Sequence, residues 1–266
     1  MLTNTYNIFE KERKIGRNYM KIFIRDLKYQ VKKFLLPLLV LVIVYTFLVF
    51  LTSDLKEDMS LIESFFNGAY FDSGVITQIN GMTIPDRWLL LHLIPVINLL
   101  VIFIKDHYEN GIYTILKLDK KTHYFFSKIL ASIIINVVSI AIFAIPFLIY
   151  ISSENGNDPN LVTLFKEVMF CLTLENIILT IGAIIIALLS STMVAIFVVI
   201  SNMAIAMASN FPYIIGQSSL AYMQETLGGP LKFTNNLIFL LVLLVVLIVF
   251  SYIYFNRYNY YGDEKW

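Results

Sequence analysis

The stretch Met169–Ala208 reads MFCLTLENIILTIGAIIIALLSSTMVAIFVVISNMAIAMA. It carries one charged side chain, Glu175, and one short polar break, Ser190-Ser191-Thr192. As a single helix its forty residues would extend about 60 Å, roughly twice the 30 Å core of a bilayer. Two helices of membrane-crossing length joined by a tight turn account for it better. The reading of the whole chain starts from that pair.

Working outward, the 266-residue chain is 58% hydrophobic and only 15% charged, with a mean hydropathy of +0.73. Soluble domains are about 45–50% apolar and about 25% charged, so an aqueous globular enzyme does not fit. Disorder requires the opposite balance. Four more apolar stretches join the first two, giving six expected spans: Phe34–Leu51, Trp88–Ile104, Ile129–Ile151, Met169–Ser190, Thr192–Ala208 and Leu237–Phe255. The expected fold is therefore an all-α polytopic membrane protein, one domain over residues 1–266.

The cations set an orientation. Nine precede the first span, five lie between spans two and three, and two follow span six. The remaining segments hold only Lys56, Arg87, Lys166 and Lys232. Sixteen against four places both termini in the cytoplasm. Span one is too long for a signal-peptide core and no small-residue cleavage site follows it, so it reads as an uncleaved anchor. Trp88, Tyr252, Tyr254 and Tyr258 fall where interfacial aromatic anchors are expected.

Within the tail 1–33, Met20, Phe23, Ile24, Leu27, Val31 and Phe34 share one helical face. Lys21, Arg25, Lys28 and Lys32 lie opposite. That pattern describes an amphipathic elbow helix in the inner interface, its cations toward anionic headgroups; the alternative is a topogenic cationic cluster with no fold of its own. Outside, loop 52–87 opens acidic with Asp54, Glu57, Asp58 and Glu63. Loop 209–236 is broken by Pro212, Gly216 and Gly228-Gly229-Pro230, and reads as short helices near the outer surface.

Much chemistry is absent from the sequence. There is no G-x-x-x-x-G-K-[ST] phosphate loop and no H-E-x-x-H zinc motif. His92, His107 and His123 are too dispersed to form a histidine-pair metal site. The single cysteine, Cys171, allows no intramolecular disulfide, and a net charge of +1 leaves no nucleic-acid footprint. Gly216-Gln-Ser-Ser lacks the second glycine of a nucleophile elbow. Intramembrane hydrolysis is the enzyme reading against which a non-enzyme reading is weighed, and no catalytic residue, bound cofactor or metal is expected on this chain.

The loop 105–128 is more informative: KDHYENGIYTILKLDKKTHYFFSK. Glu109 stands two residues before Gly111, a short helix is expected around Tyr113–Leu118, and a basic turn leads into span three. Ile112, Ile115 and Leu116 give it an apolar side suited to a groove on a soluble partner. A helix–turn that merely satisfies topology is the alternative.

In Glu109, Gly111, Thr114, Leu116 and Lys128 the loop resembles the cytosolic loop of bacterial ABC-2-type transporter permeases, where E-x-G or E-x-x-x-G precedes a T-x-x-x-L-like stretch. Asp119-Lys120-Lys121 replaces the family's usual proline-containing turn. The resemblance implies a coupling loop, including Tyr113, that docks on a separate ABC ATPase subunit present in two copies. That partner would hold ATP and Mg. It also implies a second permease copy or a related permease, a bacterial cytoplasmic membrane, and export of a hydrophobic or amphipathic substrate, with a peptide or bacteriocin-immunity role placed first. A secondary transporter subunit and a peptide-sensing membrane protein are the competing classes.

Candidate substrate-path residues are Glu175, His92, Asn98, Asn136 and Asn202. Glu175 lies a few residues into span four; it either faces a pathway or snorkels to the outer interface. Pro95 and Pro146 make spans two and three kink-prone. Ala183, Ala187 and Ser191, with Ala204 and Ala208, form small-residue faces that could serve the bundle or a dimer seam.

Overall fold

In a computed structural model the described residues are 2–53, 66, 86–115, 121–152, 159–209, 211 and 213–257; side chains are described from residue 19 onward, except at 48–53, 86, 112 and 150–152. The helices are α1 (Leu2–Ser53), α2 (Asp86–Asp106), α3 (Ile112–Ile115), α4 (Lys121–Ser152), α5 (Pro159–Leu189), α6 (Thr192–Ala208) and α7 (Phe233–Arg257). A wide π-type turn, His107–Gly111, links α2 to α3. Three short 3-10 turns between 217 and 227 precede α7. Among the described residues there is no strand, only a bridge between Gln224 and Leu231.

Among the described residues, five helices are long and apolar enough to cross a membrane: parts or all of α1, α2, α4, α5 and α7. The sixth expected span, α6, is a shorter apolar helix of 17 residues, at the lower limit for a bilayer core of about 30 Å. The break between α5 and α6 falls at the serines. Ser191 adopts extended backbone and its hydroxyl accepts from Val194 N, capping α6. A side chain that competes for backbone hydrogen bonds ends one helix and begins the next.

α5 is the central element. Nineteen of its 31 residues are buried, against four of 25 in α7. It packs against α2, α4, α6, α7 and the first 3-10 turn. Ala183 and Ala187 are buried on it, so that small-residue face serves the bundle, whereas Ala204 and Ala208 on α6 are exposed. α1 lies at the side, against α4 and α2. Its outward face, from Leu35, Leu36 and Leu39 to Ile43 and Phe47, is apolar and exposed, as expected of a surface that meets hydrocarbon rather than water.

The amphipathic segment is not a separate elbow helix. α1 runs unbroken from Leu2 to Ser53, about 78 Å at 1.5 Å per residue. The hydropathy changes near Phe34, but neither glycine nor proline interrupts the chain there; Pro37 alone lies inside the helix. The expected apolar face is divided, with Leu27 and Phe34 packed inward. Met20, Ile24 and Val31 are exposed, while Asp26 and Gln30 are fully buried beside Phe34. Phe23 is half-buried, and Lys28 and Lys32 remain exposed.

Two other expectations change. α5 begins ten residues before Met169, which puts Glu175 near its middle rather than near an end. Trp88 is fully buried and is no interfacial anchor. Tyr252 is exposed, and Tyr254 donates to Leu188 O at 3.2 Å. Tyr258 and most of the loop 52–87 lie outside the described residues, apart from buried Phe66.

Candidate functional site

Two buried polar groups stand out in an otherwise apolar molecule. The first lies where α1, the α2–α3 turn and α4 meet. Asp26 Oδ1 accepts from Arg25 Nη2 at 2.5 Å, and its Oδ2 accepts from Ser127 Oγ at 2.6 Å. Lys128 Nζ donates to Asp106 Oδ2, and Arg25 Nη2 is 3.8 Å from the same carboxylate. Arg25 also donates to Thr114 Oγ1, whose own hydroxyl donates to Asn110 O. Gln30 donates to Lys128 O at 3.2 Å and accepts from Ser132 Oγ at 3.1 Å. Two cations and two carboxylates thus balance, with hydroxyls and an amide filling the remaining positions. A buried ion pair is tolerated when its other lone pairs and protons are satisfied.

Lys128 completes the group from above the rings of Phe103 and Tyr124, 5.7 and 5.1 Å from their centroids. Its stem is wholly enclosed. The cluster therefore fastens three chain segments to one another: Asp26 from α1, Asp106 from the end of α2, and Lys128 from α4.

The π-type turn is shaped by close packing. A Cβ on Gly111 would stand 2.7 Å from the Tyr124 hydroxyl, and that hydroxyl lies 3.3 Å from His107 Nδ1. Asn110 Nδ2 donates to Asp106 Oδ1 at 2.8 Å, tying the turn to the ion cluster. We expect Gly111→Ala to lower stability by about 1–3 kcal/mol through overpacking. Adding Tyr124→Phe, which removes the colliding oxygen, recovers part of the loss in thermal unfolding of the purified protein. Equal instability in the double variant would show the collision is not the cause.

The residues expected to couple to a partner fall into two sets. Glu109 and Tyr113 are exposed, Glu109 lying 3.8 Å from Lys105 one turn back. Such a pair contributes about 0.3–0.5 kcal/mol. Gly111, Thr114 and Lys128 are buried and build the turn. Ile115, expected on a partner-facing apolar side, packs into the main core instead. Leu116 and the basic turn to Lys120 lie outside the described residues.

The second group surrounds Glu175, which does not snorkel: it is fully buried. Its Oε1 accepts from Gly216 N at 2.7 Å and Ser218 N at 2.9 Å. Its Oε2 lies 3.3 Å from His92 Nε2. His92 Nδ1 is 2.9 Å from Trp88 O, and Trp88 Nε1 donates to Ser219 Oγ at 2.9 Å. Gly216 holds φ +111°, and a Cβ there would meet Trp88 at 3.1 Å, so the turn needs glycine both for its backbone and for room. Ser218 Oγ donates to Asn236 Oδ1 at 2.6 Å, and Gln217 Nε2 to Ala206 O at 2.9 Å. Together these bonds hold the segment between α6 and α7 against the middle of α5.

His92 and Glu175 thus come together, as two of the five candidate path residues. The other three do not join them directly. Asn98 donates to Ile94 O of its own helix, Asn136 to Thr180 Oγ1 at 3.0 Å, and Asn202 to Ile215 O at 2.9 Å. Asn176, which the sequence reading passed over, has a clearer task. Pro95 has no N–H to give Leu91 O, and Asn176 Nδ2 donates to that carbonyl at 3.2 Å. Neighbouring side chains commonly re-satisfy backbone groups freed by proline in apolar surroundings.

Ser219, His92 and Glu175 invite comparison with a hydrolytic relay. The geometry differs from one. Ser219 Oγ at 3.4 Å and Glu175 Oε2 both approach Nε2, while Nδ1 is taken by a backbone carbonyl. A relay needs the serine and the carboxylate on opposite ring nitrogens. Among the described residues, no group of three or more histidines, cysteines or acids could hold a metal ion.

No known protein family, curated protein or solved structure matches the chain.

Proposed function

We propose that this chain is the membrane-spanning subunit of an ATP-driven exporter of ABC-2 type, and that Glu109 and Tyr113 form the contact with a separate ATPase. In this reading the chain sits in a bacterial cytoplasmic membrane with both termini inside, as a homodimer or beside a related permease. Two ATPase copies dock on the paired turns. ATP and Mg belong to that partner. The substrate is hydrophobic or amphipathic, with a peptide placed first.

The observation that carries this reading is the anchoring of the turn. Exposed Glu109 stands on the π-type turn and exposed Tyr113 on α3 directly after it, and the base of the turn is fastened, through Asp106, Lys128, Arg25 and Asp26, to α4 and α1. A push on the turn therefore reaches two long helices without slack between them. Coupling needs such a contiguous element, biased by a ligand with different affinity for its two arrangements. The resemblance of loop 105–128 to permease coupling loops supports the same assignment. The competing secondary-transporter reading draws on one feature, the buried Glu175.

The test is purification of the tagged chain from its native membrane, followed by reconstitution in lipid vesicles. A nucleotide-hydrolysing subunit is expected in equal number with the chain. Glu109→Ala with Tyr113→Ala should weaken its association about tenfold, the consequence of losing roughly 1.4 kcal/mol. Full substrate-stimulated hydrolysis in that double variant would rule the coupling assignment out. Substrate movement driven by an ion gradient alone would favour the secondary transporter.

A further inference from the structure

We propose that the Glu175–His92 pair is a proton-binding site, and that the bound proton latches the 216–219 segment onto α5. This stands apart from the ATP-driven reading and holds whatever energy source moves the helices.

The inference rests on counting hydrogens. Trp88 O can only accept, so His92 Nδ1, 2.9 Å away, carries a hydrogen and donates it. Glu175 Oε1 is committed to two amide donors, Gly216 N and Ser218 N. That leaves Nε2 facing Oε2 at 3.3 Å. With no proton between them, two lone pairs confront each other in a fully buried space. One proton removes the conflict in either of two ways. Held on Nε2 it gives an imidazolium facing a carboxylate; held on Oε2 it gives a carboxylic acid donating to a neutral ring. Both forms are neutral overall. Ser219 need not supply this hydrogen, because its hydroxyl lies 3.0 Å from Gly216 O and can donate there.

Among the described residues, the charged partner within 4 Å of Glu175 is His92 of α2. On α5, Cys171 lies one turn from Glu175, and its Sγ accepts from Asn236 Nδ2 of α7 at 3.5 Å. α6 contributes apolar Met203 and Ala206, beside Gly216. On the connecting segment, Glu225 pairs with Lys232 at the exposed surface, and Glu167, further along α5, accepts from Thr226. When the proton leaves, a negative charge remains in an apolar interior. The two amides at Oε1 are then its only donors, and the charge is relieved by opening the segment to water. A buried charge without its partner is tolerated poorly. Proton uptake closes the latch, and proton release opens it.

Trp88 reports the latch, since its Nε1 donates to Ser219. The only other tryptophan is Trp266. The experiment uses the full chain carrying Trp266→Phe in lipid vesicles, with no ATPase present, and follows Trp88 emission from acid to alkaline pH. Emission should move to longer wavelength as the proton leaves. Glu175→Gln should hold the acid-form emission throughout, because its amide N–H faces Nε2 in place of the titrating hydrogen and cannot be lost. His92→Gln keeps an ionisable carboxyl at position 175 and should still titrate. Cys171→Ala should titrate as the parent does.

An emission independent of pH in the parent overturns the proposal. So does a parent-like titration in Glu175→Gln, or its loss in Cys171→Ala alone. Should a glutamine variant fail to fold, infrared difference spectra of the parent decide. The acid form must show one protonated carboxyl or imidazolium band that disappears on alkalinisation with the same midpoint as the fluorescence. Absence of such a band overturns the proposal.

Discussion

Lys128→Met is expected to destabilise the helix bundle by about 3–5 kcal/mol, the range for removing one partner of a buried ion pair. The methionine retains most of the stem's volume between Phe103 and Tyr124, so the loss is electrostatic rather than a cavity. What remains is Asp106, buried at the end of α2, facing Arg25 at 3.8 Å. Nearby, Asp26 still requires that same guanidinium. One cation would then serve two buried carboxylates. Asp106→Asn added to Lys128→Met restores charge balance, with Arg25 serving Asp26 alone. The double variant should therefore be more stable than the single one, although both lose the lysine's bond. Thermal or denaturant unfolding of purified protein in lipid vesicles measures the difference. If the second substitution only adds to the damage, the cluster is not held by charge balance.

Glu175→Ala should have a comparable effect through a different cause. The substitution deletes the acceptor of two buried amides, Gly216 N and Ser218 N. Each unsatisfied buried donor costs about 1–3 kcal/mol, and His92 Nε2 loses its facing oxygen as well. The destabilisation should be local first. The 213–231 segment loses its seat on α5, while α1, α2 and α4 remain joined at the ion cluster. Hydrogen exchange separates the two cases: amides 216–224 should exchange much faster in Glu175→Ala, and those of α4 should not. Uniform acceleration over the whole chain would show that the segment is part of the global fold rather than a separately opening unit.

The helices themselves were legible in the sequence, because an apolar run of nearly twenty residues has few other fates. Their ends were less so. Lys166 and Glu167 interrupt the hydropathy of α5 without interrupting its backbone, so the helix begins well before its apolar part. That error misplaced Glu175 near an interface. The same confusion separated an elbow from a span at Phe34, where solvation preference changes and backbone preference does not. Asp26 was overlooked among the cations of the tail, although it is the sole acid between Glu12 and Asp54. An acid isolated within a basic helix is a signal that something cationic or hydroxylic meets it.

The sites were legible as residue types and not as groupings. Gly111 was singled out for its motif, but its need for Tyr124 depends on a contact across 13 positions that no local pattern encodes. His92 and Glu175 were named separately, 83 positions apart. The backbone amides that receive Glu175 have no sequence signature beyond Gly216, whose positive φ only the folded turn reveals.

The bond from Asn176 to Leu91 O constrains which parts of this molecule can move. Sliding or rotating α2 against α5 would take from that carbonyl the donor that replaces the N–H Pro95 lacks. Pro95, which in isolation would be a hinge, is thereby made stiff from outside. The two helices travel as one rigid body, stitched a second time by His92 and Glu175. Because the ion cluster also joins α1 to α2, the seam left without such an ionic tie, among the described residues, is the one where α7 borders α5.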